Sequence, residues 1–253
     1  MRVFITGASS GLGAALARAY AARGASVALI ARREAALKEM AATLPTQAFI
    51  YPLDVADAAA LQSAADDFIA RAGLPDIVIA NAGVSVGTLT EEQSDIKTFE
   101  RVFAINVMGM VNTFAPFAAA MRQRNSGRLV GIASVAGVRG LPGAGAYSAS
   151  KAASFAYLES LRVEMHGSGV KVVTIAPGYI KTPMTAVNDY AMPFLLDANV
   201  AAERMRRVIE RGTRTAVVPW QMGIVATIMR LMPDALYDRL ASRAGRKPRN
   251  LPL

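Results

Sequence analysis

Short runs of apolar, often β-branched residues recur along the chain. The seven runs cover residues 3–5, 27–30, 49–51, 77–79, 129–132, 172–175 and 216–218. An unbroken apolar run is typical of a strand that is covered on both faces, whereas a half-exposed strand alternates apolar and polar residues. The pattern therefore predicts seven strands buried inside one sheet.

Alanine-rich segments with helical spacing separate these runs. They cover residues 11–23, 33–43, 57–72, 97–124, 147–167 and 200–211. Strands that alternate with helices form a parallel sheet with helical crossovers on its faces. We therefore predict an α/β fold, a doubly wound parallel seven-stranded sheet with helices on both faces.

The predicted sheet divides the chain into one domain and a tail. Residues 1–218 form the predicted catalytic domain, and residues 183–199 within it, rich in Met, Phe, Leu and Pro, are expected to form a substrate lid. Residues 219–253 are predicted to form a basic, amphipathic tail of two short helices broken at Pro233. We expect the basic end, residues 243–249, to be frayed.

Composition excludes several classes of protein. With 53% hydrophobic and 19% charged residues among 253, the chain is not a disordered protein. The absence of Cys removes disulfides, thiolate catalysis and Cys-ligated metals, and a single His cannot build a multi-histidine site, so no metal centre is predicted.

The net charge of +9 suggests a polyanionic partner, but it is unevenly distributed. Residues 200–253 hold 11 Lys and Arg against 4 Asp and Glu, whereas residues 1–199 are nearly neutral.

The longest apolar stretch, residues 217–229, is interrupted by Gln221 and is too short for a transmembrane helix. Because no apolar leader follows Met1, we expect a cytoplasmic protein, with contact between the tail and a membrane surface as the alternative. No nucleic acid is expected as a partner, since no aromatic platform accompanies the charge.

A glycine-rich turn follows the first strand. It reads Thr6-Gly7-Ala8-Ser9-Ser10-Gly11-Leu12-Gly13 and opens the first helix. Glycines here allow a tight turn and close approach of a pyrophosphate, while amides at the helix N-terminus face the anion. The turn predicts a dinucleotide site.

Two arginines follow the second strand, where an acidic residue would hold the ribose 2′-hydroxyl of NAD. Arg32 and Arg33 can instead pair with a 2′-phosphate, so NADP(H) is favoured over NAD(H), with Arg32 the stronger candidate. Asp54-Val55 and Asn81-Ala82-Gly83 follow the third and fourth strands, at the sheet edge where ligands bind in such folds.

The candidate reacting group is a tyrosine. Tyr147 and Lys151 are four residues apart, so they share one face of the predicted helix. A neighbouring ammonium and the positive nicotinamide ring both favour the phenolate, which would let Tyr147 transfer a proton. Ser134, after the fifth strand, can hydrogen-bond a substrate oxygen, and Asn106 can hold a water that passes protons to Lys151.

Together these segments resemble the short-chain dehydrogenase/reductase family in its compact single-domain branch. The resemblance covers about residues 1–218 and rests on Thr6-Gly7-x3-Gly11-x-Gly13, Asn81-Ala82-Gly83, Asn106, Ser134, Tyr147-x3-Lys151, and Pro177-Gly178 followed by Thr182. It implies a Rossmann-like fold, a catalytic tetrad of Asn106, Ser134, Tyr147 and Lys151, and a homodimer or homotetramer built partly on the helices that carry Asn106 and Tyr147.

The resemblance also implies how the cofactor is held. Lys151 would bind the nicotinamide ribose, and Pro177, Gly178, Ile180 and Thr182 would flank the nicotinamide. The full expected set of cofactor residues is Thr6, Gly7, Ser9, Ser10, Gly11, Leu12, Gly13, Arg32, Arg33, Asp54, Val55, Asn81, Ala82, Gly83, Tyr147, Lys151, Pro177, Gly178, Ile180 and Thr182.

The substrate-side residues are mostly apolar. The candidates are Val135, Val138, Leu141, Tyr179, Met184, Met192 and Phe194, which favour a hydrophobic ketone, aldehyde or secondary alcohol as substrate. Arg139 is expected to be a solvated loop residue. The leading hypothesis is an NADP-dependent oxidoreductase, and the alternatives are a membrane-associated reductase of lipid-type substrates and a non-catalytic NADP-binding sensor.

Overall fold

The computed structural model describes residues 1–251 and contains the predicted parallel sheet. Its strands, in chain order, are β1 Arg2–Thr6, β2 Ser26–Ala31, β3 Ala48–Pro52, β4 Ile77–Ala80, β5 Gly127–Ile132, β6 Val170–Pro177 and, as the seventh, β9 Thr215–Val218. They pair in the order β3-β2-β1-β4-β5-β6-β9, and every pair is parallel. The fold prediction is confirmed.

Helices cover both faces of this sheet. They are α1 Gly11–Ala21, α2 Glu34–Ala42, α3 Ala58–Ala72, α4 Asp95–Phe103, α5 Gly109–Arg124, α6 Gly145–Glu164, α7 Pro183–Ala186, α8 Ala198–Arg211, α9 Trp220–Leu231 and α10 Asp234–Ala241. One apolar cluster holds α1, α2 and α8 against the sheet through Leu16, Leu37 and Met205. A second cluster holds α3, α5 and α6 against the opposite face through Phe68, Phe114 and Leu158.

The longest helical stretch runs from α4 to α5 and contains a π turn at Ala104–Met108. By length and composition this 30-residue stretch could cross a membrane. Phe114, Phe117 and Met121 of α5 are buried, and Phe117 packs edge-on against Phe4 of β1 with ring centroids 4.8 Å apart. The helix therefore occupies the position of a core helix.

The predicted lid contains regular structure that its polar and apolar pattern did not predict. Residues 183–199 include α7, and strand β8 Leu196–Asp197 pairs with β7 Ile180–Lys181 as a separate two-stranded sheet. Asp197 caps α8 by accepting a hydrogen bond from the Asn199 amide. The tail forms α9 and α10, separated at Pro233 as predicted.

The order of the strands determines where a ligand can bind. β1 lies between β2 and β4. The connection from β1 to β2 runs to one side of β1, and the connection from β3 to β4 crosses to its other side, which opens a crevice at the carboxyl ends of these strands. The glycine-rich turn follows β1 at this crevice.

Candidate active site

A cavity of about 370 Å³ occupies the crevice at the carboxyl edge of the sheet. Nearly all of the predicted catalytic and cofactor residues line it: Gly7, Ser9, Ser10, Gly11, Leu12, Gly13, Arg32, Arg33, Asp54, Val55, Asn81, Ala82, Gly83, Ser134, Tyr147, Lys151, Pro177, Gly178, Ile180 and Thr182. Its size lies in the range usual for small-molecule sites. One cavity thus runs from the glycine-rich turn to Tyr147.

The glycine-rich turn is closed too tightly for side chains. A Cβ atom on Gly13 would lie 2.2 Å from the carbonyl oxygen of Gly7, and Gly7 itself has a φ of +69°. The turn therefore needs glycine at both positions. Its compact form brings the free amides at the start of α1 to the cavity wall, which is the arrangement that binds phosphate groups.

Thr6 and Asn81 join the ends of β1 and β4. The Asn81 side-chain amide donates to the carbonyl oxygens of Thr6 and Gly7, at 3.0 and 3.3 Å. The Thr6 hydroxyl accepts hydrogen bonds from the Asn81 and Ala82 amides, both at 3.2 Å. Thr6 is buried and does not line the cavity, so these hydrogen bonds give it a role in positioning the turn, and its contact with a cofactor stays a prediction.

Positive charge surrounds the far end of the cavity. The Arg33 guanidinium donates to the Ser9 hydroxyl of the glycine-rich turn at 3.2 Å. Burial raises the pKa of Asp54, but the Ala56 amide, the paired Arg101 and nearby Arg32 outweigh it and lower the pKa below its usual value. Asp54 is thus a carboxylate held by Arg101, while Arg32 and Arg33 are oriented toward the cavity.

Tyr147, Ser134 and Lys151 meet at the other end. Residues 135–137 form a short 3-10 turn, and a Cβ on Gly137 would lie 2.6 Å from the carbonyl carbon of Lys151. This close packing against α6 brings Ser134 to the Tyr147 hydroxyl. The Lys151 ammonium lies 5.9 Å from the centroid of the Tyr147 ring and donates to the Ile132 carbonyl oxygen at 2.8 Å.

Burial shifts the pKa values of Tyr147 and Lys151 in the protein without bound cofactor. Burial raises the pKa of the Tyr147 hydroxyl above its ordinary value, and a hydrogen bond with Ser134 only partly opposes this. Burial lowers the pKa of Lys151 to about 8. In the protein without bound ligand, Tyr147 is therefore a neutral phenol, the form that donates a proton.

Asn106 lies in the π turn and is fully buried. Its side-chain amide donates to the Val84 carbonyl at 3.0 Å and to the Ser150 hydroxyl at 2.9 Å, and its oxygen accepts from the Val84 amide. Ser150 in turn donates to the Tyr147 carbonyl. The side chain of Asn106 thus joins α6 to the loop after β4, and its expected contact with a water stays a prediction.

The loop after β6 closes the cavity near Tyr147. The Gly178 amide donates to Val218 at 2.9 Å, and a Cβ on Gly178 would lie 2.5 Å from Cγ of Met222 in α9. Thr182 begins α7 through a reciprocal pair of hydrogen bonds with Thr185. The tail helix α9 therefore supports the loop that carries Pro177 and Gly178.

The predicted substrate-side residues are only partly brought together. Of the seven, Met184 lines the cavity, whereas Val135, Val138, Leu141, Tyr179, Met192 and Phe194 lie outside its wall. Phe194 is 50% exposed. Other apolar side chains that line the cavity are Val84, Ile105 and Ile132. Ile105 and Ile132 belong to a predicted helix and a predicted strand, and Val84 lies in the loop after β4.

Two expectations about basic residues are wrong. Arg139 is not solvated: it donates to the carbonyls of Met229 and Met232 at 2.7 and 2.6 Å and lies 4.0 Å from the centroid of the Tyr237 ring. The basic end of the tail is not frayed, because Lys247 is buried and Arg249 pairs with Glu92 and Asp95.

Sequence reasoning missed the residues that hold the tetrad in place. Ser150, Val84 and the Ile132 carbonyl make no recognisable motif. Arg101 of α4, which pairs with the predicted cofactor residue Asp54, was missed as well. Only Ser150 gave a local signal, since it lies inside the Tyr147-x3-Lys151 spacing. Among the described residues, no group of His, Asp and Glu could hold a metal ion.

Comparison with known proteins shows the family. The family model described as short chain dehydrogenase matches residues 1–191. A protein of Myxococcus xanthus, described as an uncharacterized oxidoreductase, is 39% identical over 242 residues, covering 94% of this chain and 95% of that protein.

Solved structures agree with the sequence comparison. A short-chain dehydrogenase from Streptomyces avermitilis superposes with a TM-score of 0.81 at 27% identity, covering 95% of this chain and 96% of that one. A serine dehydrogenase complexed with NADP+ superposes with a TM-score of 0.79 at 27% identity, covering 86% and 94%.

Proposed function

Because the chain belongs to the short-chain dehydrogenase family, whose members are NAD(P)-dependent oxidoreductases, we propose that it is an NADP(H)-dependent reductase of hydrophobic ketones or aldehydes. The reverse oxidation of secondary alcohols uses the same groups. One observation carries the proposal: Tyr147, Ser134 and Lys151 line the same cavity as a glycine-rich turn and two arginines.

The cavity fits a dinucleotide. The Gly7 to Gly13 turn leaves no room for side chains and presents the amides at the start of α1, as a pyrophosphate requires. Arg32 and Arg33 lie beyond it, where a 2′-phosphate would be held, and Lys151, Pro177, Gly178, Ile180 and Thr182 would hold the nicotinamide end. When bound, the nicotinamide supplies the hydride chemistry.

The protein's own part is to orient the carbonyl and to manage one proton. Ser134 and the Tyr147 hydroxyl would both hydrogen-bond the carbonyl oxygen of the substrate. The neutral phenol of Tyr147 donates its proton to that oxygen as negative charge develops there. The buried Lys151 ammonium would stabilise the phenolate that remains. The apolar side chains of Val84, Ile105 and Met184 favour a substrate with a hydrophobic body.

Preference for NADP(H) is tested by removing the two cations. Arg32→Ala and Arg33→Ala are each expected to lower the ratio of kcat/KM for NADPH to that for NADH by about tenfold, since each removes a charged hydrogen bond to the 2′-phosphate. Arg33 also contacts Ser9 of the glycine-rich turn. We therefore expect Arg33→Ala to lower the NADPH to NADH ratio at least as much as Arg32→Ala does.

The control for this measurement is Lys38→Ala, which removes an exposed cation of α2 paired with Glu34. It should leave the ratio unchanged. An unchanged ratio in the Arg32→Ala, Arg33→Ala double variant would rule out recognition of the 2′-phosphate by these residues.

A homodimer or homotetramer is the proposed assembly, as is general in the family. Ile96, Phe103 and Met108 remain exposed on the stretch that carries Asn106. These side chains offer an apolar surface for a second copy of the chain.

A second candidate property is contact with an anionic membrane surface. Trp220, Ile224, Ile228 and Leu231 form a stripe along α9 and are between 53% and 77% exposed, while Met222 and Ala226 on the other side are buried. Arg239, Arg243 and Arg246 lie nearby in sequence, and among residues 1–251 no salt bridge is formed by any of the three. An apolar stripe with cations beside it is typical of helices that lie on a membrane surface.

Liposome co-sedimentation tests this candidate with the full chain. Wild type is expected to sediment with anionic vesicles more than with zwitterionic ones, and the triple change Ile224→Ser, Ile228→Ser, Leu231→Ser should abolish the difference. Ile96→Ser, at an exposed apolar residue of α4, is the control. Equal sedimentation of wild type with both kinds of vesicle would exclude this role.

A further inference from the structure

The chain after α10 crosses the body of the protein close to the cavity. We call residues 243–250 the C-terminal strap. The Gly87 amide, in the loop after β4, donates to the Pro248 carbonyl at 2.9 Å. A Cβ on Gly143, just before α6, would lie 3.2 Å from side-chain carbons of Arg246. The strap therefore bridges two loops that border the Tyr147 end of the cavity.

The strap also contacts the predicted lid. Gly245 packs so closely that a Cβ there would lie 2.4 Å from Cβ of Tyr190. The Lys247 ammonium donates to the Met184 carbonyl at 2.7 Å and to the Asn188 side chain at 3.2 Å. Met184 itself lines the cavity. Residues 183–190 are thus held between the strap and the site.

Two cations anchor the strap. Lys247 is 9% exposed and forms no salt bridge among the described residues, so it is held by neutral oxygens alone. Arg249 makes a two-pronged contact with Asp95, at 3.0 and 3.2 Å, and a third contact with Glu92 at 3.0 Å. Paired hydrogen bonds of this kind fix geometry as well as adding attraction. Asp95 also accepts from the Leu89 amide, which connects the anchor to the loop after β4.

The strap fits its surroundings because glycines face it. A Cβ on Gly87 would lie 2.1 Å from the Lys247 carbonyl oxygen. Backbone therefore lies against backbone at this point, a separation that any larger residue would prevent. Such close complementarity indicates a defined contact rather than a loosely placed terminus.

The connection to the reacting group runs through Tyr190. Its ring packs edge-on against Tyr179, with centroids 6.4 Å apart, and Tyr179 directly follows Gly178 of the cavity wall. The strap therefore reaches the cavity wall by two routes, through Tyr190 and Tyr179 to Gly178 and through Lys247 to Met184.

From these contacts we propose that the C-terminal strap forms the outer wall of the substrate compartment and limits the length of substrate that it accepts. This inference rests on the proposed reductase function, which supplies the class of substrate. When Arg249 is released from Asp95 and Glu92, the strap moves away from the body of the protein, and its contacts with Tyr190 and Met184 weaken. Long carbonyl compounds then enter more easily, while short ones bind as before.

The experiment compares full-length wild type with Arg249→Ala on straight-chain aldehydes of increasing length, with NADPH as reductant. In Arg249→Ala we expect the ratio of kcat/KM for the longest to that for the shortest aldehyde to rise by about tenfold, a change typical for hydrophobic pocket size. Arg239→Ala removes an exposed cation of α10 that forms no described salt bridge, and it should leave the ratio unchanged.

Hydrogen exchange shows independently whether the strap has been released. The Gly87 amide, bonded to Pro248, should exchange slowly in wild type and faster in Arg249→Ala. If Arg249→Ala leaves that exchange slow, Gly87→Val forces the contact apart and the aldehyde series is repeated with it. Faster exchange with an unchanged length ratio would overturn the proposal.

The same pair of measurements separates failure of the strap from failure of the proposed function. If wild type reduces no aldehyde, the test is repeated with straight-chain ketones of increasing length; if it reduces neither series, the proposed reductase function fails, and the strap as its substrate wall is overturned with it. If wild type reduces aldehydes and neither variant alters the length ratio, only the strap proposal fails.

Discussion

Replacing Tyr147 by Phe should lower kcat for carbonyl reduction by about a thousandfold, the middle of the range for loss of a general acid. The phenyl ring keeps the packing at the cavity wall, and only the hydroxyl near Ser134 is lost. Because burial keeps the Tyr147 phenol protonated, that hydroxyl is the proton donor available to a carbonyl oxygen in this cavity. Binding of NADPH and the melting temperature should not change.

The measurement is single-turnover oxidation of NADPH in the presence of excess aldehyde, with NADPH affinity measured separately by fluorescence. Tyr157→Phe is the matched control, since Tyr157 stacks on Phe114, outside the cavity. A non-catalytic NADP-binding sensor makes the opposite prediction: Tyr147→Phe would leave its function intact, and wild type would show no turnover.

Replacing Lys151 by Met should lower kcat/KM by about a hundredfold, because the ammonium that stabilises the developing phenolate is removed. Met fills similar space but leaves the Ile132 carbonyl without its donor. Loss of a buried hydrogen bond costs about 1 to 3 kcal/mol of folding free energy, so a lower melting temperature should accompany the kinetic loss. Lys97→Met, at an exposed residue of α4, is the control.

The pH profile separates the charge of Lys151 from its packing. Its pKa is lowered to about 8, so the ammonium is present below that pH and is lost as the pH rises through it. Wild-type kcat/KM for NADPH should therefore fall above about pH 8, while Tyr147, with a raised pKa, stays protonated there. Lys151→Met should lack this decrease. The same decrease in both proteins would exclude Lys151 as the titrating group.

Much of the fold was predictable because parallel strands covered on both faces leave a clear pattern. Each of the seven apolar runs lies in a strand of the main sheet. The glycine-rich turn was equally predictable. Gly7 has a positive φ and Gly13 has no room for a Cβ atom, so both positions require glycine. The roles of the residues at the Tyr147 end stay predictions that the kinetic experiments test.

Contacts between distant segments were not predictable. Arg139 looked like a solvated loop residue because its partners, the carbonyls of Met229 and Met232, are backbone atoms more than 80 residues away. Asn106 lies in a π turn and hydrogen-bonds Val84 and Ser150, which are 22 and 44 residues away in sequence. Hydrophobic periodicity carries no information on either kind of contact.

The basic tail shows the same limit. Its excess of cations suggested a surface property, yet Lys247 and Arg249 are used inside the protein, against the lid and against Glu92 and Asp95. Arg239, Arg243 and Arg246 account for much of the remaining charge of this region. The tail thus combines a structural role near the cavity with an outer surface that a membrane could contact.

The central claim is that the chain moves a hydride between NADPH and an apolar carbonyl compound with Tyr147 as proton donor. The most direct test supplies NADPH carrying deuterium at the transferable position of the nicotinamide and analyses the alcohol product by mass spectrometry. Wild type should place one deuterium on the carbinol carbon, and Tyr147→Phe should form almost no labelled alcohol. Wild type that forms no labelled alcohol from any member of an aldehyde and ketone series, while still binding NADPH, would contradict the account.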